Sequence, residues 1–277
     1  MFFYEIKKNI KQYKHLFFIT VNDNDSKDIK IKKNLNSNPK IGENFLFKNL
    51  CVTEDSKKIP HVLKISFNEK EFKFLLNYND KDFLVKMVGF NNNIFFNGII
   101  MEKASRSLQD VVDVKKNEGG DFSPTEFKIL EGFFLKVLEF LHSHSFVYGD
   151  WKFENILVYD SFNLKLADFE TLMVEGQRIE NENNINLLCG SPNYFFGNKI
   201  IKPRSQDDYK SVCYLFWMLN MLKLPWDSFI DVEINSSNMI DIQYSVTLLK
   251  RKDNLFKESY CIYWPNAFYF TFLNKLI

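Results

Sequence analysis

Apolar and polar residues are patterned in two regimes along the chain, and the change falls near residue 105. Before it, short runs rich in β-branched and aromatic residues are bounded by clusters of Asn, Asp and Lys, which is a strand pattern. Phe45–Val52 and Ile59–Phe67 are expected strands, separated by the polar loop Glu54–Lys58. Asn68–Tyr78 changes to helical spacing, with Phe72, Leu75 and Leu76 on one face. Phe83–Val88 and Ile94–Met101 return to strands. Residues 1–40 are polar and irregular, with turn signals at Asn22–Ser26 and Asn34–Asn38.

Beyond Ser105 the spacing becomes helical. Ser123-Pro-Thr-Glu126 is a capping box with proline at the first helical position. Behind it Phe127, Leu130, Phe134, Val137, Leu138 and Leu141 recur at three and four residues, the stripe of a buried helix. A second apolar helix is expected from about Asp208 to Met221, ended by Leu224-Pro-Trp226.

Composition narrows the class. With 277 residues, 45% hydrophobic and 26% charged, the chain can bury a core of one or two domains. A net charge of +1 from interleaved signs leaves no electrostatic footprint for nucleic acid or a membrane surface. Cys51, Cys189, Cys213 and Cys261 lie far apart without a close pair, so a reduced intracellular protein is expected, in the cytoplasm or nucleus. Charge interrupts the amino terminus too early for a signal peptide, and no apolar run reaches the length of a membrane span. The 30 phenylalanines, with abundant Asn, Lys and Ile, read as codon bias of an AT-rich genome, such as that of a large DNA virus or an intracellular parasite.

The densest chemistry lies in Tyr148-Gly-Asp-Trp-Lys-Phe-Glu-Asn-Ile-Leu-Val158. Asp150 has the character to take the proton of an incoming hydroxyl, and Lys152 to neutralise a phosphate in transfer. Asn155 can hold a metal ion. A second acid, Asp168, ends the apolar run that follows, within Leu164-Lys-Leu-Ala-Asp-Phe-Glu170. Upstream, Lys64 stands among apolar neighbours in Val62-Leu-Lys-Ile65, and a buried ammonium requires a carboxylate partner. Glu69 and Glu71 are the two candidates for that part. His142 and His144 invite a metal pair, but no carboxylate or cysteine is spaced to complete it, and packing is the stronger reading.

The acid, lysine and asparagine, followed by Asp168-Phe169, resemble the catalytic loop and metal-binding segment of protein kinases. Within that superfamily, Met101-Glu-Lys-Ala-Ser-Arg-Ser-Leu-Gln-Asp-Val111 resembles the hinge of the casein-kinase-1 family. Gly190-Ser-Pro-Asn-Tyr194, Asp207-Asp-Tyr-Lys-Ser-Val-Cys-Tyr214, Leu224-Pro-Trp226 and Tyr263-Trp-Pro-Asn-Ala-Phe268 resemble its later motifs in order. Gly149-Asp150, in place of Arg-Asp, is similar to the vaccinia-related branch.

The resemblance implies a two-lobed α+β protein-kinase fold: an extension over 1–40, a β-rich lobe over 41–104 and a mainly helical lobe over 105–277. It implies a monomeric serine/threonine kinase that moves the γ-phosphate of Mg-ATP to a protein substrate. Asp150 would be the base and Lys152 the γ-phosphate contact. Asn155 and Asp168 would hold Mg²⁺. Lys64 and Glu71 would serve the nucleotide phosphates, Glu102 and Ala104 the adenine through backbone groups, and Gly42 and Leu157 would complete the nucleotide site.

Departures from the family pattern are equally specific. Ile41-Gly-Glu-Asn-Phe-Leu-Phe47 offers Gly42 alone where a phosphate-covering loop carries three glycines. Glu170 replaces the glycine after Asp-Phe, Tyr148 replaces the usual histidine, and Cys213 replaces a helix glycine. These keep two rivals open: a pseudokinase acting as a binding or decoy module, and a small-molecule phosphotransferase with the same core.

Overall fold

The computed structural model describes residues 19–20, 30–34, 49–54, 60–66, 69–92, 97–178, 189–191 and 202–221. The chain forms two compact units, Met1–Ser105 and Arg106–Ile277.

The first unit is built on one antiparallel sheet. Its strands are β1 (Ile19–Thr20), β2 (Lys30–Asn34), β3 (Asn49–Glu54), β4 (Pro60–Ser66), β5 (Met87–Asn92) and β6 (Asn97–Glu102), with α1 (Glu69–Tyr78) between β4 and β5. The spatial order is β1-β5-β6-β4-β3-β2. Central β4 pairs with both β3 and β6, so Lys64 lies opposite Leu50 on one side and Ile99 on the other. Leu63, Ile99 and Ile100 of the sheet and Phe72, Phe74 and Leu75 of α1 make up much of the buried set of this unit. Each such side chain removed from water contributes about 1.5–3 kcal/mol.

Three expectations change here. Residues 1–40, expected to be an irregular extension, supply β1 and β2, which pair with β5 and β3. Leu76 is exposed, and the buried face of α1 carries Glu71, Phe72, Phe74 and Leu75 instead. The apolar run Phe83–Val85 is buried but not in a strand, and β5 begins only at Met87. The cause is the Asn79 side chain, which accepts from the Met87 amide at 2.7 Å and donates to the Met87 carbonyl at 2.9 Å. That bracket holds a compact turn after α1, closed by the Lys81 amide on the Tyr78 carbonyl at 3.2 Å.

The second unit opens with β7 (Arg106–Ser107), α2 (Leu108–Glu118) and α3 (Pro124–Ser143). Ser107 and Asp110 form a capping box on α2, and Gly119 ends it in the left-handed conformation at φ 66. Ser123 and Glu126 cap α3 in the same way, with Pro124 inside the first turn. Leu130, Phe134, Val137, Leu138 and Leu141 of the expected stripe are fully buried, whereas Phe127 at its start is only half-buried.

After α3 come β8 (Phe146–Val147), a 3-10 turn over Phe153–Asn155, β9 (Ile156–Tyr159), β10 (Asn163–Leu166) and β11 (Met173–Val174). They form two small antiparallel sheets, β10-β9-β7 and β11-β8. Helix α4 (Ser205–Met221) then packs on α3, with the rings of Phe134 and Phe216 5.2 Å apart. It begins three residues earlier than its apolar pattern suggests because Asp207 accepts from the Arg204 amide at 3.0 Å and stabilises the first turn. Gly42, Tyr194, Leu224-Pro-Trp226 and Tyr263–Phe268 lie outside the described residues.

Candidate active site

Two small antiparallel pairs in the second unit, the β9–β10 hairpin and β8 with β11, gather the sequence-predicted acids. Strand β8 delivers the chain to Tyr148–Lys152, and the 3-10 turn passes it to β9. In the β9–β10 hairpin Ile156 lies opposite Leu166, so Asn155 and Ala167 flank the open end. The Ala167 amide donates to the Asn155 carbonyl at 2.9 Å, extending the ladder and bringing Asp168 beside Asn155 along it. Strand β11 then returns to pair with β8.

Asp150 is buried, and its two carboxylate oxygens are treated differently. Oδ2 accepts from Lys152 Nζ at 2.6 Å and from Asn155 Nδ2 at 2.8 Å. Oδ1 is buried without a hydrogen-bond partner. Asn155 Nδ2 also donates to the Asp150 carbonyl at 3.0 Å, so its carboxamide oxygen carries none of these bonds. Asp168 occupies the left-handed region at φ 63, a strained setting for a residue with a side chain. Phe169 beside it is fully buried, while Glu170 is half-buried.

Asp208, at the start of α4, holds this loop from below. It is fully buried and accepts from the Tyr148 amide at 2.8 Å, the Gly149 amide at 3.0 Å and Trp151 Nε1 at 2.7 Å. His142 Nε2 lies 3.3 Å from Oδ2, the oxygen that accepts from the Tyr148 amide. Sequence reasoning placed Asp208 in a motif but gave it no task, and gave Trp151 none at all. The available signal was the Asp207-Asp208 pair at the head of an apolar helix, where one acid caps the helix and a second has no local use.

His142 packs against Tyr209, ring centroids 5.0 Å apart, and also reaches Asp208, whereas His144 is exposed with its ring stacked near that of Phe146. Gly149 sits at φ 77, and a Cβ there would lie 2.4 Å from Met173 Cε. In α4, Cys213 is buried, and that burial pushes its thiol up to about 12.

The first unit, taken by itself, holds a separate cluster. Lys64 Nζ and Glu71 Oε2 form a buried ion pair at 2.5 Å. Glu69, the rival partner, pairs instead with Lys73 on the exposed side of α1. Glu102 Oε1 accepts from the Lys86 amide at 2.9 Å, which fixes the end of β6. Ala104 is half-buried just beyond it. Leu157, in the second unit, is half-buried on β9 opposite Ser107.

Comparison with known proteins decides the class. The family model for the protein kinase domain matches residues 36–260. The chain belongs to the protein kinase family. Among its relatives, the carbon catabolite-derepressing protein kinase of Candida albicans is 31% identical over 135 residues, 47% of this chain and 20% of that protein. The corresponding protein of Candida tropicalis is 34% identical over 135 residues, again 47% of this chain and 20% of that one. The SNF1-like protein kinase ssp2 of Schizosaccharomyces pombe is 33% identical over 98 residues, 35% of this chain and 15% of its own length. The chain therefore matches about a fifth or less of these relatives.

As a protein kinase the chain has a two-lobed α+β fold that implies use of ATP and a divalent metal. The donor set fits such a metal, since the Asn155 carboxamide and the Asp168 carboxylate both offer hard oxygens.

Proposed function

We propose that this kinase transfers the γ-phosphate of Mg-ATP to serine or threonine hydroxyls of protein substrates. The observation that carries the reading is the asymmetry of Asp150. One oxygen is held by Lys152 and Asn155, while the other is buried and unsatisfied. A buried acceptor without a partner costs free energy in the resting protein, and an approaching hydroxyl donor would relieve it.

In this reading Asp150 orients the acceptor hydroxyl through Oδ1 and takes its proton. Lys152 holds the carboxylate in place and offers positive charge to the transferring phosphoryl group. Lys64, fixed by Glu71, contacts the nucleotide phosphates, with Gly42 covering them. The backbone at Glu102 and Ala104, together with Leu157, serves the adenine. Asn155 and Asp168 are the ligands for Mg²⁺, which when bound neutralises charge on the phosphates. The order of Gly149-Asp150, Ser107-Leu108 and Asp207-Asp208 supports a place near the casein-kinase-1 and vaccinia-related branch.

The test is autophosphorylation of purified protein with radiolabelled Mg-ATP, followed by analysis of the modified amino acids. Label on serine or threonine is expected, at a KM toward the upper end of the usual range, about a millimolar. Gly42 alone in the covering loop and Glu170 after Phe169 favour the second reading, a pseudokinase acting as a binding or decoy module with weak or no phosphoryl transfer. No label at millimolar Mg-ATP, with no thermal shift on adding it, would establish that reading instead.

A further inference from the structure

Trp151 stands between Asp150 and Lys152 and is the largest fully buried side chain among the described residues, with its indole N–H directed at Asp208, 57 positions away, at 2.7 Å. Its ring lies 5.0 Å from that of Tyr148 and 5.7 Å from that of Phe134. The indole is thereby packed between the catalytic segment and α3. Tryptophan is the side chain that combines so large an apolar body with one N–H donor and no acceptor.

The need for that donor follows from Asp208. An ionised carboxylate has about four acceptor sites, and burial makes each empty one costly. Here the Tyr148 and Gly149 amides, the Trp151 indole and the His142 ring supply four contacts. Among the described residues no lysine or arginine reaches this carboxylate. Two of the donors are backbone groups just before Asp150, and the indole belongs to the residue just after it. The same acid thus grips the chain on both sides of Asp150. Gly149, at φ 77, is the freest link in that stretch, and a side-chain tether beyond it limits the freedom that glycine brings.

We propose that Trp151 is a positioning residue for phosphoryl transfer. Its indole N–H on Asp208 closes a three-point clamp, with the Tyr148 and Gly149 amides, that fixes the aim of Asp150. This inference rests on the kinase reading above. The clamp acts on orientation of the base and not on nucleotide binding, so its loss lowers the maximal rate while leaving KM for ATP in place.

The experiment compares Trp151→Phe, and the benzothiophene analogue of tryptophan placed at residue 151, with the unsubstituted protein. The analogue keeps ring size and loses only the N–H, so it serves where the phenylalanine variant fails to fold. Initial rates of autophosphorylation with radiolabelled Mg-ATP and amide hydrogen exchange over 146–152 are measured together. A maximal rate about tenfold lower, KM for ATP within about twofold, and faster exchange over 146–152 but not over α3 are expected. Unchanged rate in either folded variant, or a fall with phenylalanine that the benzothiophene analogue restores, overturns the role of the N–H. Turnover absent from the unsubstituted protein overturns the kinase reading itself, and the positioning role with it. A deficit confined to the residue-151 variants leaves that reading standing.

Discussion

The phenol of Tyr148 donates a 2.6 Å hydrogen bond to the carbonyl of Ala167, the residue before Asp168. Tyrosine at this position departs from the histidine of the family pattern, yet it joins the loop of one candidate acid to the segment of the other. Its ring also meets Phe169, centroids 5.8 Å apart, and Trp151. Tyr148→Phe keeps the rings and removes the bond. A loss of about 0.5–1.5 kcal/mol is expected. The melting temperature should fall by a few degrees, and a scanning calorimeter should also detect any greater loss from the stranded carbonyl.

Asp150→Asn removes the proton acceptor with little change of shape. Phosphoryl transfer should fall by about 10²–10⁴, with the fold retained and ATP still bound. Radiolabel incorporation beside a thermal shift with Mg-ATP measures the two effects separately. Wild-type turnover in this variant would remove Asp150 from the mechanism.

Glu71→Gln should be far more harmful than Glu69→Gln, though both residues lie in α1 and face a lysine. Lys64 and Glu71 are buried, and leaving one ion of such a pair uncompensated costs about 3–5 kcal/mol. The Lys73–Glu69 pair is exposed on both sides and is worth at most about 1 kcal/mol. Denaturant midpoints of the two variants give the contrast directly, and similar midpoints would contradict the burial of the first pair.

Activity should not require phosphorylation of the segment between Thr171 and Gly190. Thr171 is its only hydroxyl residue. The Thr171 side chain already donates to the Tyr148 carbonyl at 3.2 Å. At the position where a phosphate-binding arginine would precede Asp150 stands Gly149, with Met173 against it. Phosphatase treatment should leave the rate unchanged. A rate lost on treatment and restored only with phosphate on Thr171 would show that a cation elsewhere receives it.

Stability should decline at alkaline pH through Cys213. Its thiol ionises near 9.0 in the unfolded chain and at about 12 in the fold, so the folded state keeps the proton through that window. The contribution is fully present below 9.0 and is lost as pH rises toward 12. Because the thiolate is the reactive form, iodoacetamide at pH 8 should spare Cys213 in the native protein and modify it in urea. Cys213→Ser should remove this thiol's share of the alkaline decline.

The site residues were legible in the sequence where chemistry and spacing coincide. Asp150, Lys152 and Asn155 lie within one short stretch, so their mutual bonds follow from local chain geometry. For Lys64, burial logic demanded a carboxylate on the next element, but the choice of Glu71 over Glu69 rested on the resemblance of Glu71–Leu75 to the family's helix. Asp208 was not legible, because its partners are amides and an indole about sixty positions away, and no local pattern marks a long-range acceptor. Phe83–Val85 misled for another reason: a buried apolar run looks the same whether it fills a turn or a strand. What separated them was Asn79, whose two bonds to Met87 fix the turn from outside the run.

Strands β1 and β2 occupy the two outer positions of the six-stranded sheet, although both come from the segment before residue 41. One short stretch of chain therefore guards both flanks, reaching β5 at one side and β3 at the other. A chain trimmed to start at residue 41 would keep every candidate site residue yet bare two rows of unpaired amides and carbonyls, an open invitation to edge-to-edge self-association. The leading segment is thus the sheet's selvedge: it does none of the chemistry, and the fabric that carries Lys64 would fray without it.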